Sequence, residues 1–382
     1  MPRPIRLGVI TSEFFDIRLG PMGGFGWAAK QLGQIFREDP SLGVELIYVA
    51  GFAQKTRETQ VHGSRLVQRE KTRWANLRKI RRERLDLLLT IDYNSAYTVY
   101  LRSLPRTPAI VWVRDPRTPD DVRKIQSLRI PGEDAQPQGI LCADGGSLAR
   151  ISAESAWLGR PLLFATPEPR LVTKLKGAYG IEPWNFYRLP NSIQRGPPRI
   201  VKSDRPTVVF LGRLDPIKRP WIFAELARHF PRVEFLFLGQ SHFSGPGAWC
   251  PAGLSPNIRL LGHVGEADKS RLLSAAWVVL NTSIHEGLAI SFLEALACEA
   301  PLLSCQDPGF VVSRYGIYTG RFDGSGMEGL DAFTQSLETM LDDHDLRRHL
   351  GRSGRAWVES THTREGFVEA FRRLCEHAGL GR

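Results

Sequence analysis

Residues 285–294 read HEGLAISFLE, and two carboxylates, Glu286 and Glu294, bracket a run that is otherwise small or apolar. The preceding WVVLNTS (277–283) has the character of a buried strand, and the residues from 287 to 299 carry helical spacing. The backbone N–H groups of Gly287, Leu288 and Ala289 then stand at a helix start, without intrahelical acceptors and at the positive end of its dipole. Gly287 lets a ligand approach the backbone closely. Such a place suits an anion. The two acids lie about 12 Å apart at the helical rise, and a carboxylate accepts from two vicinal hydroxyls at once. A ligand with a diphosphate in the middle and a polyol at each end fits this spacing. The plainer alternative is that Glu286 complements the dipole and Glu294 reaches solvent.

A second constellation lies in VVFLGRLDPIKRP (208–220). A strand ends at Leu211, Gly212 permits a turn, and Arg213 and Lys218 follow in the loop. A guanidinium fork and a mobile ammonium can converge on one diphosphate, although loop cations are also commonly just solvated. The first half offers fewer candidates. AIVWVRDPRTP (109–119) ends in Arg114 and Asp115, and the loop after the first strand carries Glu13 and Asp16.

The elements that must position these groups alternate along the whole chain. IRLGVIT (5–11), VELIYVA (44–50), LDLLLTID (85–92), AIVWVRD (109–115), GILCAD (139–144) and PLLFAT (161–166) are apolar throughout, as strands buried on both faces of a parallel sheet are. A Pro- and Gly-rich stretch (191–206) reads as a linker, and the alternation then restarts at TVVFLGRL (207–214). The expected fold is α/β, with two Rossmann-like domains whose parallel sheets face across a cleft: 1–195, a linker at 196–206, and 207–363. A terminal helix over about 364–380 is expected to pack back onto the first domain. Ligands in such folds gather beyond the carboxyl ends of strands.

Composition narrows the function. The net charge is +11 over 382 residues, and residues 1–195 hold all of it, with 30 Lys and Arg against 19 Asp and Glu. Segment 55–86 alone has eleven bases and four acids. This points to an anionic substrate or an anionic lipid surface, or simply to a solvated helix face. No zinc-finger or RNA-binding aromatic motif supports a nucleic-acid partner. The five cysteines follow no metal-ligand spacing, and no signal peptide or membrane span is read. A reduced, cytoplasmic protein is expected, with a peripheral contact at the inner membrane face through 55–86.

Taken together, the motifs resemble those of retaining GT-B glycosyltransferases of family 4. The pair Glu286-x7-Glu294 with Gly287 resembles that family's glutamate signature. Gly212, Arg213, Leu214 and Lys218 resemble its GRL…K segment, LPNSI (189–193) its turn at the domain junction, and MGGFGWAAKQL (22–32) its glycine-rich first loop. The resemblance implies transfer of a sugar from a nucleoside-diphosphate donor, with retention and with no metal or other cofactor. It implies Arg213, Lys218 and Glu286 as catalytic residues, Glu286 at the donor sugar and Glu294 at the ribose. Gly24, Gly212, Gly287, Leu288, Ala289 and His263 (in LLGHV, 260–264) would complete the donor contacts. Many members carry a first-domain His at the donor sugar. Here Arg114–Asp115 stands after the corresponding strand, so Asp115 is assigned to the donor, and Arg114, Glu13 and Asp16 to the acceptor side. The acceptor is expected to be anionic or lipid-linked.

Competing readings are weaker. GGFGWAA (23–29) contains a GxGxxA, but it lies twelve residues beyond its strand and no acid ends the next one, which argues against a nicotinamide enzyme. A sugar-nucleotide epimerase or a non-catalytic nucleotide-sugar binder on the same fold stays open.

Overall fold

The computed structural model describes residues 3–381 except 17, 21, 54–57, 134–145, 183–185, 243, 245, 246, 250 and 252. Two compact units emerge, one of residues 1–118, 143–192 and 364–382, the other of 119–142 and 193–363.

In chain order the first half runs β1 (Ile5–Thr11), α1 (Gly24–Glu38), β2 (Val44–Ala50), β3 (Gln60–Val61), β4 (Ser64–Val67), α2 (Arg73–Arg82), β5 (Leu87–Ile91), α3 (Thr98–Ser103), β6 (Ala109–Trp112), α4 (Pro119–Gln126), α5 (Ser147–Trp157), β7 (Leu162–Thr166), α6 (Leu175–Tyr179) and β8 (Phe186–Arg188). The eight strands form one sheet in the order β3-β4-β2-β1-β5-β6-β7-β8. Every pairing is parallel except the β3–β4 hairpin. Both faces are apolar, which is why the strands read as unbroken runs. One face packs on α1 through Leu32, Ile35 and Phe36, and on α13 (Arg364–His377) through Phe367, Phe371 and Leu374. The other packs on α2, α3 and α5 through Ile80, Leu101, Leu148 and Ile151.

The second unit runs β9 (Thr207–Leu211), α7 (Pro220–His229), β10 (Glu234–Leu238), β11 (Ile258–Leu260), α8 (Glu266–Ala275), β12 (Val278–Asn281), α9 (Ile290–Ala297), β13 (Leu302–Ser304), α10 (Val311–Tyr315), β14 (Gly316–Tyr318), α11 (Leu330–Asp342) and α12 (His344–Thr361). Its six strands are all parallel, in the order β11-β10-β9-β12-β13-β14. Numbered from β9, that is the 3-2-1-4-5-6 arrangement, whose direction reverses between the first and fourth strands. Arg213 and Lys218 follow β9, and Glu286 follows β12. The topology therefore sets both motifs at the switch point.

Several elements differ from the sequence reading. The described residues 119–133 belong to the second unit, although 118 and 146 on either side belong to the first. Ile125, Leu128 and Ile130 join the second core with Trp221 and Phe223, a long-range hydrophobic preference that proximity in sequence hides. The strand expected at 139–144 lies outside the described residues. The helix expected from 287 starts only at Ile290, because Ala289 is still extended, with φ −63° and ψ 132°.

Candidate functional site

In the second unit, the turn after β9 is built by close backbone approach. Gly212 donates to the Leu238 carbonyl at 3.0 Å. A Cβ on Gly239 would lie 1.8 Å from the Gly212 oxygen, so no side chain fits there. Arg213 leaves this turn and pairs with Asp215 at 3.3 Å. Asp215 also accepts the His242 N–H at 3.1 Å. A one-turn 3-10 helix, Pro216–Lys218, then sets Lys218 toward β12.

Lys218 Nζ donates to Glu286 Oε1 at 2.5 Å. The same oxygen accepts from Ser283 Oγ at 2.6 Å and Asn281 Nδ2 at 3.1 Å. Burial pushes the Glu286 carboxyl up, but Lys218, Ser283 and Asn281 outweigh it and hold the group below the ordinary carboxylate value. Oε1 is thus saturated, and no described donor reaches Oε2. The amide N–H groups of Gly287, Leu288 and Ala289 make no hydrogen bond within the described residues and precede the first turn of α9. Glu294, one turn into α9, accepts from Lys269 of α8 at 2.6 Å, and Lys269 also meets Glu266 at 2.9 Å. His263 is exposed in the loop after β11, beside His242. The structure therefore brings Arg213, Lys218, Glu286, Gly287 and Ala289 to adjacent strand ends, and Glu294 along the helix that leaves them.

In the first unit, Gly24 opens α1 and is exposed, with nothing near its Cβ position. The tight glycines are its neighbours. A Cβ on Gly23 would strike the Glu13 carboxylate, and one on Gly26 would strike the Phe15 N. Glu13 accepts the Gly26 N–H at 3.4 Å, so its carboxylate sits at the α1 N-terminus. Asp16 is engaged by Arg18 at 2.6 Å, which holds its carboxyl low against the opposing effect of burial. Asp115 pairs with Arg117 at 2.7 Å rather than with Arg114. Arg114 is buried, lies 4.3 Å from the centre of the Trp112 ring, and has one guanidinium nitrogen without a hydrogen-bond partner among the described residues. Burial pushes it down to about 10.

Residues 197–357 match the family described as glycosyl transferases group 1. The match lies wholly within the second unit and spans less than half of the chain. A D-inositol 3-phosphate glycosyltransferase of Kineococcus radiotolerans is 29% identical over 205 residues, 46% of this chain and 46% of that protein. One from Gordonia bronchialis is 27% identical over 187 residues, 44% and 40% of the two chains. The chain thus spans less than half the length of the curated relatives it matches. Anabaena HepE, solved with UDP-glucose, has a TM-score of 0.68 at 15% identity, covering 97% of this chain and 100% of that one. Sucrose-phosphate synthase of Thermosynechococcus elongatus has a TM-score of 0.67 at 15% identity, covering 97% and 98%. The fold of the chain, with its two largely parallel α/β sheets, is that of GT-B structures.

The sequence reading missed three groups. Asp92, after β5, has φ +57° and accepts the N–H groups of Arg114 and Asp115 at 3.0 and 3.2 Å. Burial, and then the Asp115 charge, raise its carboxyl to about 6. Asp121 of α4 lies 3.5 Å from His285, the neighbour of Glu286, and 3.7 Å from Arg321. Lys124 is buried, and burial followed by Arg321 pushes it down to about 8. Only LDLLLTID, an acid closing an apolar run, hinted at any of them. Among the described residues, no cluster of three or more His, Cys, Asp or Glu is placed to hold a metal, and no helix is long and apolar enough to cross a membrane.

Proposed function

We propose that the protein transfers a sugar, with retention, from a nucleoside-diphosphate sugar to an acceptor hydroxyl. One observation carries the reading. Glu286 presents one oxygen saturated by Lys218, Ser283 and Asn281 and the other without a described donor, beside three backbone amides that make no hydrogen bond among the described residues. Oε2 would accept the donor sugar's hydroxyls, and Glu294, steadied by Lys269, those of the ribose. The amides of 287–289 with Arg213 and Lys218 would hold the diphosphate between them. In the transfer step the bond from the anomeric carbon to phosphate oxygen breaks and the bond to the acceptor oxygen forms on the same face. The acceptor proton passes to the departing phosphate oxygen. Arg213, Lys218 and the helix start would stabilise the charge that grows there, with no metal called for.

Gly212 and His263 would complete the donor site. In the first unit we assign Gly24 and Asp115 to the donor as well, and Glu13, Asp16 and Arg114 to the acceptor side. The acceptor is proposed to be anionic or lipid-linked. The curated relatives' names specify an inositol phosphate, which is consistent with an anionic acceptor. Helix α2 supports a membrane contact. It buries Asn76 and Ile80 while exposing Arg73, Trp74, Arg78 and Arg82, with Trp74 at 78%. An exposed indole among cations suits an anionic lipid interface.

The test is a thermal-shift screen of the purified chain against UDP, GDP, ADP and TDP sugars. One class should raise the melting temperature by linkage, and Glu286→Ala should abolish sugar transfer from that donor. No shift with any sugar nucleotide would refute the proposal.

A further inference from the structure

Arg219 follows Lys218 and is the bulkiest fully buried side chain of the molecule among the described residues. Its φ of +46° lies in the left-handed region, which costs a non-glycine residue about 1 kcal/mol or more. The side chain offsets that cost with a dense set of bonds. Nε donates to the Thr282 carbonyl at 2.7 Å, one terminal nitrogen to the Phe322 and Asp323 carbonyls at 2.9 and 3.5 Å, and the other to the Ser283 carbonyl and Cys305 Sγ at 3.2 and 3.0 Å. Thr282 closes the ring from the other side, its hydroxyl lying 2.7 Å from the Lys218 carbonyl and 2.9 Å from that of Arg219. Gly326 makes room, since a Cβ there would come 2.3 Å from the guanidinium.

Every donor thus goes to a carbonyl oxygen or to the Cys305 sulfur. Among the described residues no carboxylate pairs with this permanent charge. A buried cation in that state is expensive as mere structure. Its contacts link the turn after β9 to the segments after β12, β13 and β14. The turn bears Lys218 and the segment after β12 bears Ser283 and Glu286.

We propose that Arg219 is a positioning residue for the transfer reaction: it locks the Ser283–Glu286 segment against the Lys218 turn, so that the Lys218–Glu286 pair meets the donor in one fixed geometry. The inference rests on the reading that these two residues engage the donor. Arg219 itself touches no substrate. Its charge adds positive potential at strand ends where a departing diphosphate gains negative charge.

The experiment compares Arg219→Lys, which keeps the charge and loses the fork, with wild type. Nucleotide release is followed from whichever of the four sugar nucleotides stabilises the wild-type chain, well below the melting temperature of each protein. A misplaced pair should lower kcat about tenfold or more while the donor KM changes by less than about threefold. The acid limb of kcat/KM should also move to higher pH, because Glu286 loses its fixed cation; a purely structural role would leave that limb in place. Thr282→Val, which removes the hydroxyl that closes the ring and keeps the carbonyl that accepts from the Arg219 guanidinium, should shift both readouts in the same direction, and it decides alone if Arg219→Lys does not fold. Unchanged kcat and an unchanged acid limb in the folded variants would overturn the inference. Wild-type protein that binds no sugar nucleotide would instead remove the reading beneath it.

Discussion

Lys218 and Glu286 are 68 residues apart in the chain and 2.5 Å apart in space, at the ends of the adjacent strands β9 and β12. The two strands flank the point where the sheet order reverses. Neighbouring loops there diverge to opposite faces and leave space for a ligand. The pair is therefore a consequence of topology.

Glu286 is expected to act through its unsaturated oxygen. Glu286→Gln keeps an acceptor but loses the charge that holds Lys218, and transfer should fall by about 10²-fold or more. Glu294→Ala should mainly raise the donor KM, since it is assigned to the ribose. Steady-state kinetics of both variants check the division. Equal effects on kcat would refute it.

Removing Lys218 should reverse a pH dependence. In wild type the Glu286 carboxyl is depressed, so its contribution to stability is present above the ordinary carboxylate pKa and is lost as pH falls through the lower folded value. In Lys218→Met the buried carboxylate lacks its cation and titrates upward. That variant should be about 3 kcal/mol less stable near pH 7, with the deficit shrinking toward pH 4. Denaturant melts at the two pH values give the answer.

Asp92 carries the opposite sign. Its carboxyl is raised to about 6, above its unfolded value, so the folded state holds a proton the unfolded chain has released. Between about pH 4 and 6 stability therefore falls as pH rises. Asp92→Asn retains an acceptor for the Arg114 and Asp115 amides and lacks that ionisation. Its melting temperature relative to wild type should rise from pH 4 to pH 8. A constant difference would show that Asp92 is not strained by its charge.

The exposed face of α2 should govern lipid binding. Arg73, Arg78 and Arg82 project outward, whereas Lys79 is paired with Glu70 and Arg81 donates to the Ser103 carbonyl. Charge reversal at the first three, combined with Trp74→Ala, should abolish co-sedimentation with vesicles containing anionic lipid and leave the melting temperature nearly unchanged. Wild-type binding should weaken with salt. Persistent binding by the variant would place the contact elsewhere.

The amino-acid sequence by itself determined the α/β alternation, most of its apolar strands, and the order of the glycine, cation and carboxylate motifs. These are written in local terms. Strands covered on both faces read as apolar runs, turns demand glycine or proline, and helix starts expose amides whatever surrounds them. Tertiary structure alone decided the partners. That Oε1 of Glu286 is saturated, that Asp115 chooses Arg117 over Arg114, that residues 119–133 join the second core, and that Arg219 threads three segments all depend on groups distant in sequence. A side chain's charge is set by its residue type, but the bonds that fix its direction and its ionisation form only when the sheet brings remote loops side by side.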